Sequence, residues 1–154
     1  MLLKTFMLIN LLGFSFIVSQ AFFYLLALGN AQKNLQAPAY VELRNLIDRN
    51  LMTKFRIVYY VTLVSSITVA LLTIHEPAGL LFITSAIACV ALWVDVFVMF
   101  RGNIPLNKII QTWTPDNYPG NWKDYRNRWF KYYEQRQVAC IIAFLSLLTG
   151  IILT

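Results

Sequence analysis

Charged residues are scarce in this sequence, and their scarcity excludes an ordinary water-soluble domain. Asp, Glu, Lys and Arg make up 13% of the 154 residues, and hydrophobic residues make up 58%. A typical soluble domain carries about 25% charged residues. A soluble chain of this length leaves much of its surface in water, so it could not hide that much apolar area. The sequence therefore indicates a single integral membrane domain covering residues 1–154.

Metal-binding and catalytic motifs are equally scarce. With His75 as the only histidine, one chain cannot form a bis-histidine haem site or the paired Glu-x-x-His motifs of a di-iron bundle. No glycine-rich phosphate loop is present. His75 and Glu76 are interpreted as a polar turn, with half of a metal site shared between subunits as the alternative. Cys89 and Cys140 should differ in depth by about 12 Å of helix, too far apart for a disulfide. We therefore expect no metal and no cofactor.

Charge is absent altogether from four stretches, which predict four membrane-spanning helices. Each is close to or above the roughly 18 residues that a spanning helix needs, and none alternates in polarity as barrel strands do. The first run is too long for a signal peptide and is followed by no Ala-x-Ala site. The predicted spans are residues 6–28, 57–74, 78–100 and 137–153, and the third continues past a single acid, Asp95, beyond its charge-free stretch.

Basic residues are confined to two of the three connections, and this asymmetry predicts the orientation. The connection around His75 has no Lys or Arg, the N-terminal tail has only Lys4, and the C-terminus has none. Basic connections stay on the cytoplasmic side. We therefore expect a multi-pass protein of a bacterial cytoplasmic membrane with both termini outside and the basic connections inside. The basic residues are Lys33, Arg44, Arg49, Lys54 and Arg56 in the first connection, and Arg101, Lys108, Lys123, Arg126, Arg128, Lys131 and Arg136 in the third.

The two basic connections are predicted to contain helices that extend the spans. Pro38 suits the first turn of a helix, and apolar residues follow at helical spacing as far as Leu51. The third connection should begin as an irregular loop because Gly102 and Pro105 break helices. Asn121 then offers an N-cap for a helix running from Trp122 through the fourth span. The predicted fold is an all-α transmembrane four-helix bundle with cytoplasmic helix extensions and a long third connection.

Asp95 and Gln20 are the candidate functional residues inside the predicted spans. Asp95 is costly there and should face the bundle interior or a wet cavity. It is either one half of an ion pair that locks the bundle or a proton acceptor or substrate anchor, and both interpretations stay open. We expect Arg136 as its partner, with Arg126 second. Gln20 is interpreted first as a helix-to-helix hydrogen bond and is also a candidate substrate contact.

Aromatic and basic residues are densest in the third connection. Trp122, Arg126, Trp129, Tyr133 and Arg136 recur at steps of 4, 3, 4 and 3, so they share one helix face. An aromatic belt with snorkelling basic residues explains the end of this segment. It does not explain four residues in the rigid, polar loop ahead of the helix, and a loop of this kind suits the mouth or lid of a pocket. Those preceding residues are Asn103, Pro105, Asn107 and Trp113.

The segment from Asn103 to Arg136 resembles the anthrone-oxygenase-like family of small four-span membrane proteins. The resemblance lies in Asn103-Ile104-Pro105-Leu106-Asn107, then Trp113, then a helix from Trp122 through Arg128-Trp129 to Arg136. Four spans and a long third connection also fit. The resemblance implies oxidation of polyketide anthrones to anthraquinones without metal or flavin, although many members have no known role. Tyr133 stands where members often carry a histidine.

Two classes of function follow from these residues. In the first, the chain is a membrane oxidoreductase, a cofactor-independent oxygenase acting on an apolar aromatic or quinol-like substrate that enters from the lipid. Such chemistry needs a base and groups that stabilise an oxyanion. In the second, it is a non-enzymatic bundle that binds a lipid or a partner protein. Lipid headgroups or an anionic ligand explain the basic residues better than nucleic acid does. Assembly of the chain into a homo-oligomer is left open.

The candidate residues have distinct expected roles. Asp95 is the candidate base. Arg126, Arg136 and Asn107 are candidate anion stabilisers, and Trp113 and Trp129 are candidate pocket walls. The remaining candidate substrate contacts are Gln20, Asn103, Pro105, Trp122 and Tyr133.

Overall fold

A computed structural model describes residues 1–154 as four long helices without strands. The helices are α1 (Leu2–Lys33), α2 (Ala37–Thr73), α3 (Leu80–Ile110) and α4 (Trp122–Leu153), and each is long and apolar enough to cross a membrane. The predicted all-α transmembrane four-helix bundle is confirmed, and the chain is a multi-pass integral membrane protein. We call the end of the bundle that holds residues 33–56 and 101–136 the basic end.

Two helices run well beyond the thickness of a bilayer core, as predicted. Helix α2 has 37 residues and begins with Pro38 in its first turn, and α4 has 32 residues. At 1.5 Å per residue, α2 is about 55 Å long, against about 30 Å of hydrocarbon. Asn121 occupies the N-cap of α4, but its side chain makes no cap hydrogen bond, so the predicted side-chain cap is wrong. The turn is closed by the backbone N–H of Asp124, which donates to the Asn121 carbonyl at 3.0 Å.

The predicted irregular loop after the third span is wrong, because α3 continues through Gly102 and Pro105 to Ile110. A proline ring normally clashes with the carbonyl four residues earlier, which here belongs to Arg101. That residue lies in a π-helical turn, Met99–Asn103, directly ahead of Pro105. The wider turn shifts the carbonyls, so the proline opens a new α-helical segment instead of ending the helix. The true loop covers residues 111–121, with an isolated β-bridge between Thr114 and Asn117.

The bundle has two cores of different character. Aliphatic and small residues make up most of the core in the spanning half, where Leu92 and Leu147 are fully buried beside the aromatic ring of Phe14. The basic end is filled mainly by aromatic residues, including Tyr40, Trp129 and Tyr133. Large apolar side chains also cover the outside of the spans, as a lipid environment requires. They include Phe16, Val64, Val90 and Phe97.

Candidate functional site

A cavity of about 420 Å³ lies at the basic end, mainly between α2 and α3. Tyr60 and Phe100 line it and are each 62% exposed, so the cavity opens at the outer surface of the bundle near the end of the apolar spans. Helices α1 and α4 close its back. Its lining is chiefly apolar and aromatic, as ligand sites usually are. The residues from α1 and α4 are Gln20, Tyr24, Trp129, Tyr133 and Arg136.

An ion pair between α3 and α4 lies behind the inner wall of this cavity. Arg136 Nε donates to Asp95 Oδ1 at 2.6 Å, which is the predicted pairing. The Tyr59 hydroxyl donates to the other carboxylate oxygen at 2.6 Å and accepts from Arg136 Nη2 at 2.9 Å. Arg136 Nη1 also approaches the Asn103 side-chain oxygen at 3.4 Å. Four side chains from three helices thus form one closed polar network.

Asp95 belongs to this network without touching the cavity. Its exposed fraction is 0%, and it is absent from the cavity wall, which Tyr59 and Arg136 provide. Both carboxylate oxygens are occupied at short distance by donors. A ligand therefore meets the Tyr59 hydroxyl and the Arg136 guanidinium, and Asp95 acts on it only through them.

A second ion pair lies deeper in the basic end, within α2. Arg44 Nη2 donates to Asp48 at 2.6 Å and to the Asn107 side-chain oxygen at 3.1 Å. Asn107 receives a further hydrogen bond from Trp129 Nε1 at 2.7 Å, and the Arg44 guanidinium lies 4.2 Å from the Trp129 ring centroid. Asp48 also accepts from Gln111 at 3.2 Å. Side chains of α2, α3 and α4 thereby hold Arg44 in a fixed position at the cavity wall.

Both π-helical turns of the chain contribute to the cavity. One turn, Tyr24–Leu28, begins with Tyr24, and the other, Met99–Asn103, contains Met99, Phe100 and Asn103. All four side chains line the cavity. π-Helical turns are rare and often occur at functional sites. Their placement on two different helices at one cavity supports a functional role for this region.

The structure brings together six of the predicted site residues and separates the other five from the cavity. Arg126 donates to the Leu35 carbonyl at 3.3 Å and lies 4.8 Å from the Trp122 ring centroid, so it is not the partner of Asp95. Trp113 packs edge-on against Tyr125. The residues that line the cavity are Gln20, Asn103, Asn107, Trp129, Tyr133 and Arg136, whereas Asp95, Pro105, Trp113, Trp122 and Arg126 do not.

Sequence reasoning missed the cavity residues of α2 and, on α1, Tyr24. Arg44 and Asp48 were not among the candidate site residues, yet they follow Tyr40 at steps of four and so share its buried face. That spacing could have identified them. Tyr59 and Tyr24 carry no comparable signal, because single tyrosines in apolar helices are common at membrane interfaces. Gln20 lines the cavity, while Gln137 makes the hydrogen bond to α1, donating to the Ala21 carbonyl at 3.0 Å.

The opposite end of the bundle holds a smaller pocket of about 220 Å³. His75 and Glu76 lie there in the turn between α2 and α3. No group of three or more His, Cys, Asp or Glu side chains is arranged to hold a metal ion. Cys89 and Cys140 are both free.

Comparison with known proteins gave no family model, no curated protein and no solved structure that matches this chain.

Proposed function

We propose that the chain is a membrane-embedded oxidoreductase, a cofactor-independent oxygenase that acts on an apolar aromatic or quinol-like substrate. One observation carries the proposal: a cavity that opens beside the apolar spans has Tyr59 and Arg136 on its wall, and both are hydrogen-bonded to the buried Asp95 behind them. A lipophilic substrate would enter between α2 and α3 and pack against the aromatic lining. Its reactive carbon would then lie beside a hydroxyl backed by a carboxylate. The resemblance of the segment from Asn103 to Arg136 to anthrone oxygenases supports the same chemistry.

The network suits proton abstraction from an activated carbon. Tyr59 would take a proton from the substrate while passing its own proton to Asp95, to which it already donates at 2.6 Å. Arg136 would stabilise the resulting enolate oxygen, since a guanidinium favours an anion in a dry site. This arrangement moves the role of base from Asp95 alone to the Tyr59–Asp95 pair.

Dioxygen would be the oxidant, and the reaction balances without a further reductant. The carbanion forms a bond to one oxygen atom of O₂ and gives a hydroperoxide after protonation. Loss of the second C–H proton then breaks the O–O bond, leaving a carbonyl and releasing water. The methylene carbon is oxidised by four electrons, and O₂ takes all four.

The alternative is a non-enzymatic bundle that binds a lipid, and one observation favours it. Arg56 and Lys108 also line the cavity, and both are exposed. Basic residues at the edge of a membrane span suit anionic headgroups. In this alternative the Asp95–Arg136 pair only fixes the helices.

The experiment supplies anthrone to the purified protein in lipid nanodiscs and measures O₂ uptake together with carbonyl product. We expect substrate-dependent uptake that Tyr59→Phe lowers by roughly a hundredfold, the usual scale for removing a positioned acid–base group. The matched control is Tyr125→Phe, which removes a tyrosine hydroxyl away from the cavity and keeps the network intact. Binding of anthrone without O₂ uptake in the native protein would contradict the enzymatic proposal and favour the alternative.

A further inference from the structure

The Arg44 end of the cavity has hydrogen-bond donors that the protein itself leaves unused. Arg44 is 3% exposed and lines the cavity, and its Nε–H has no hydrogen-bond partner. A guanidinium has five N–H donors. Nη2 makes both of the short bonds, and Nη1 makes only one long contact, 3.5 Å from the Tyr24 hydroxyl. A buried donor without a partner carries a desolvation cost, and an acceptor on a molecule bound in the cavity would offset that cost.

Tyr24 supplies a further free donor at the same place. Its hydroxyl oxygen accepts hydrogen bonds from Gln32 at 3.3 Å and from Arg44 at 3.5 Å. With both contacts on the oxygen, its own proton remains available. Tyr24 lines the cavity, and its ring lies 4.6 Å from the Tyr133 ring, centroid to centroid.

The cavity lining also carries more positive than negative charge. Asp48 neutralises Arg44, and Lys108 lines the cavity one residue beyond Asn107, which binds Arg44. Asp95 likewise pairs with Arg136, so Arg56 and Lys108 are the two cations of the cavity lining that have no carboxylate partner. An excess of cations beside unused donors selects an anionic oxygen.

We infer that Arg44, Tyr24 and Lys108 form an anion-binding subsite, so that the ligand of this cavity is an aromatic molecule bearing an acidic oxygen group such as a carboxylate. The inference rests on the proposed function and names its substrate class more narrowly. The acidic group would bind at the Arg44 end while the apolar body lies against Trp129 and Tyr133 and extends towards Tyr59. The Arg44 end of the cavity would thus anchor the substrate, and the Tyr59 end would carry out the reaction.

The test compares anthracene-2-carboxylate with its methyl ester, which has the same body without the charge. The full chain is held in phosphatidylcholine nanodiscs, and binding is followed by energy transfer from tryptophan to the probe. Trp93 is 51% exposed on the outside of the spans, where it would also transfer energy to probe dissolved in the lipid. The titration is therefore repeated with Trp93→Phe, which removes this background signal. We expect saturable binding of the acid at least tenfold tighter than that of the ester, the scale of one charge-assisted hydrogen bond.

Variants then locate the anion. Tyr24→Phe and Lys108→Gln should weaken binding of the acid severalfold and leave binding of the ester unchanged. Arg44→Lys should do the same, because it keeps a charge beside Asp48 but loses the planar fork. Lys131→Gln is the matched control, since Lys131 is exposed on α4 and does not line the cavity; it should change neither affinity.

The other outcomes separate this inference from the proposed function. Equal saturable binding of acid and ester would overturn the anion subsite while leaving an aromatic-binding cavity in place. Absence of saturable binding by either probe would overturn both. Repeating the titration in phosphatidylglycerol nanodiscs tests the source of the anion. Loss of probe binding there would show that a lipid headgroup fills the subsite and would overturn the assignment to the substrate.

Discussion

Arg136 of α4 donates its Nε proton to Asp95 of α3 across 2.6 Å, inside a bundle where Asp95 has no exposed surface. The contact joins two helices where the apolar spans meet the basic end. A buried pair of this kind is costly to break, because the remaining charge is left unpaired. The same contact fixes the position of Arg136 on the cavity wall, so stability and the candidate chemistry depend on one ion pair.

The first prediction concerns that ion pair. Asp95→Asn should lower the free energy of unfolding by about 3–5 kcal/mol, because Arg136 keeps its charge without a counter-charge. Thermal unfolding in detergent measures the effect. Asp116→Asn, at an exposed loop position, is the control and should leave the unfolding temperature unchanged. An unfolding temperature for Asp95→Asn equal to that of the native chain would show that the pair contributes nothing.

The second prediction concerns Tyr40, whose buried hydroxyl has no hydrogen-bond partner. Tyr40→Phe removes an unsatisfied polar group, so at neutral pH it should leave stability unchanged or raise it by up to about 1 kcal/mol. Chemical denaturation measures the difference. The matched control is Tyr24→Phe, which removes a hydroxyl that accepts two hydrogen bonds and should destabilise the protein.

The third prediction follows from the pKa of the same residue. Burial raises the pKa of Tyr40 from 10.0 to about 12. Above pH 10 the unfolded chain loses this proton while the folded chain keeps it, so stability falls as pH rises towards 12. Tyr40→Phe should therefore make the stability curve less steep in that window. An identical pH dependence in both proteins would contradict the prediction.

The fourth prediction tests the contact between α3 and α4 in the π-helical turn. Gly102 faces the ring of Tyr132, and a Cβ at this position would overlap the ring atoms closest to the chain. Gly102→Ala should therefore destabilise the protein by about 1–3 kcal/mol. Gly120→Ala is the matched control, because no atom lies within 4 Å of its Cβ position. Equal unfolding temperatures for the two variants would mean that α3 and α4 separate there without cost.

The fifth prediction concerns orientation. In a chain with Cys89 and Cys140 replaced by serine, a cysteine at Asn34 or Asn117 should react with a reagent applied from the cytoplasmic side. A cysteine at Gly79 should not. The confinement of basic residues to two connections is the reason. Cytoplasmic labelling at Gly79 would reverse the orientation.

The spans and the helix extensions were predictable because charge and periodicity act locally. The path of α3 was not, because Gly102 and Pro105 end a helix in most contexts and only the π-helical turn ahead of them keeps this one continuous. Asp95 and Arg136 were predictable as partners from their depth alone. Tyr59 was not, because no local pattern shows that a tyrosine on α2 reaches a carboxylate on α3. Contacts between distant segments depend on how the helices are rotated, which single-sequence periodicity does not determine.

The length of α2 has a consequence for the membrane itself. The cavity mouth at Tyr60 and Phe100 lies near one end of the apolar stretch, while Arg44 lies about 24 Å of helix beyond Tyr60. The acyl chains therefore meet the mouth close to their headgroups. A thicker bilayer would submerge the mouth in hydrocarbon, and a thinner one would raise it among the headgroups. Acyl-chain length thus sets how readily a lipid-dissolved molecule passes into the protein, independently of its affinity for the cavity.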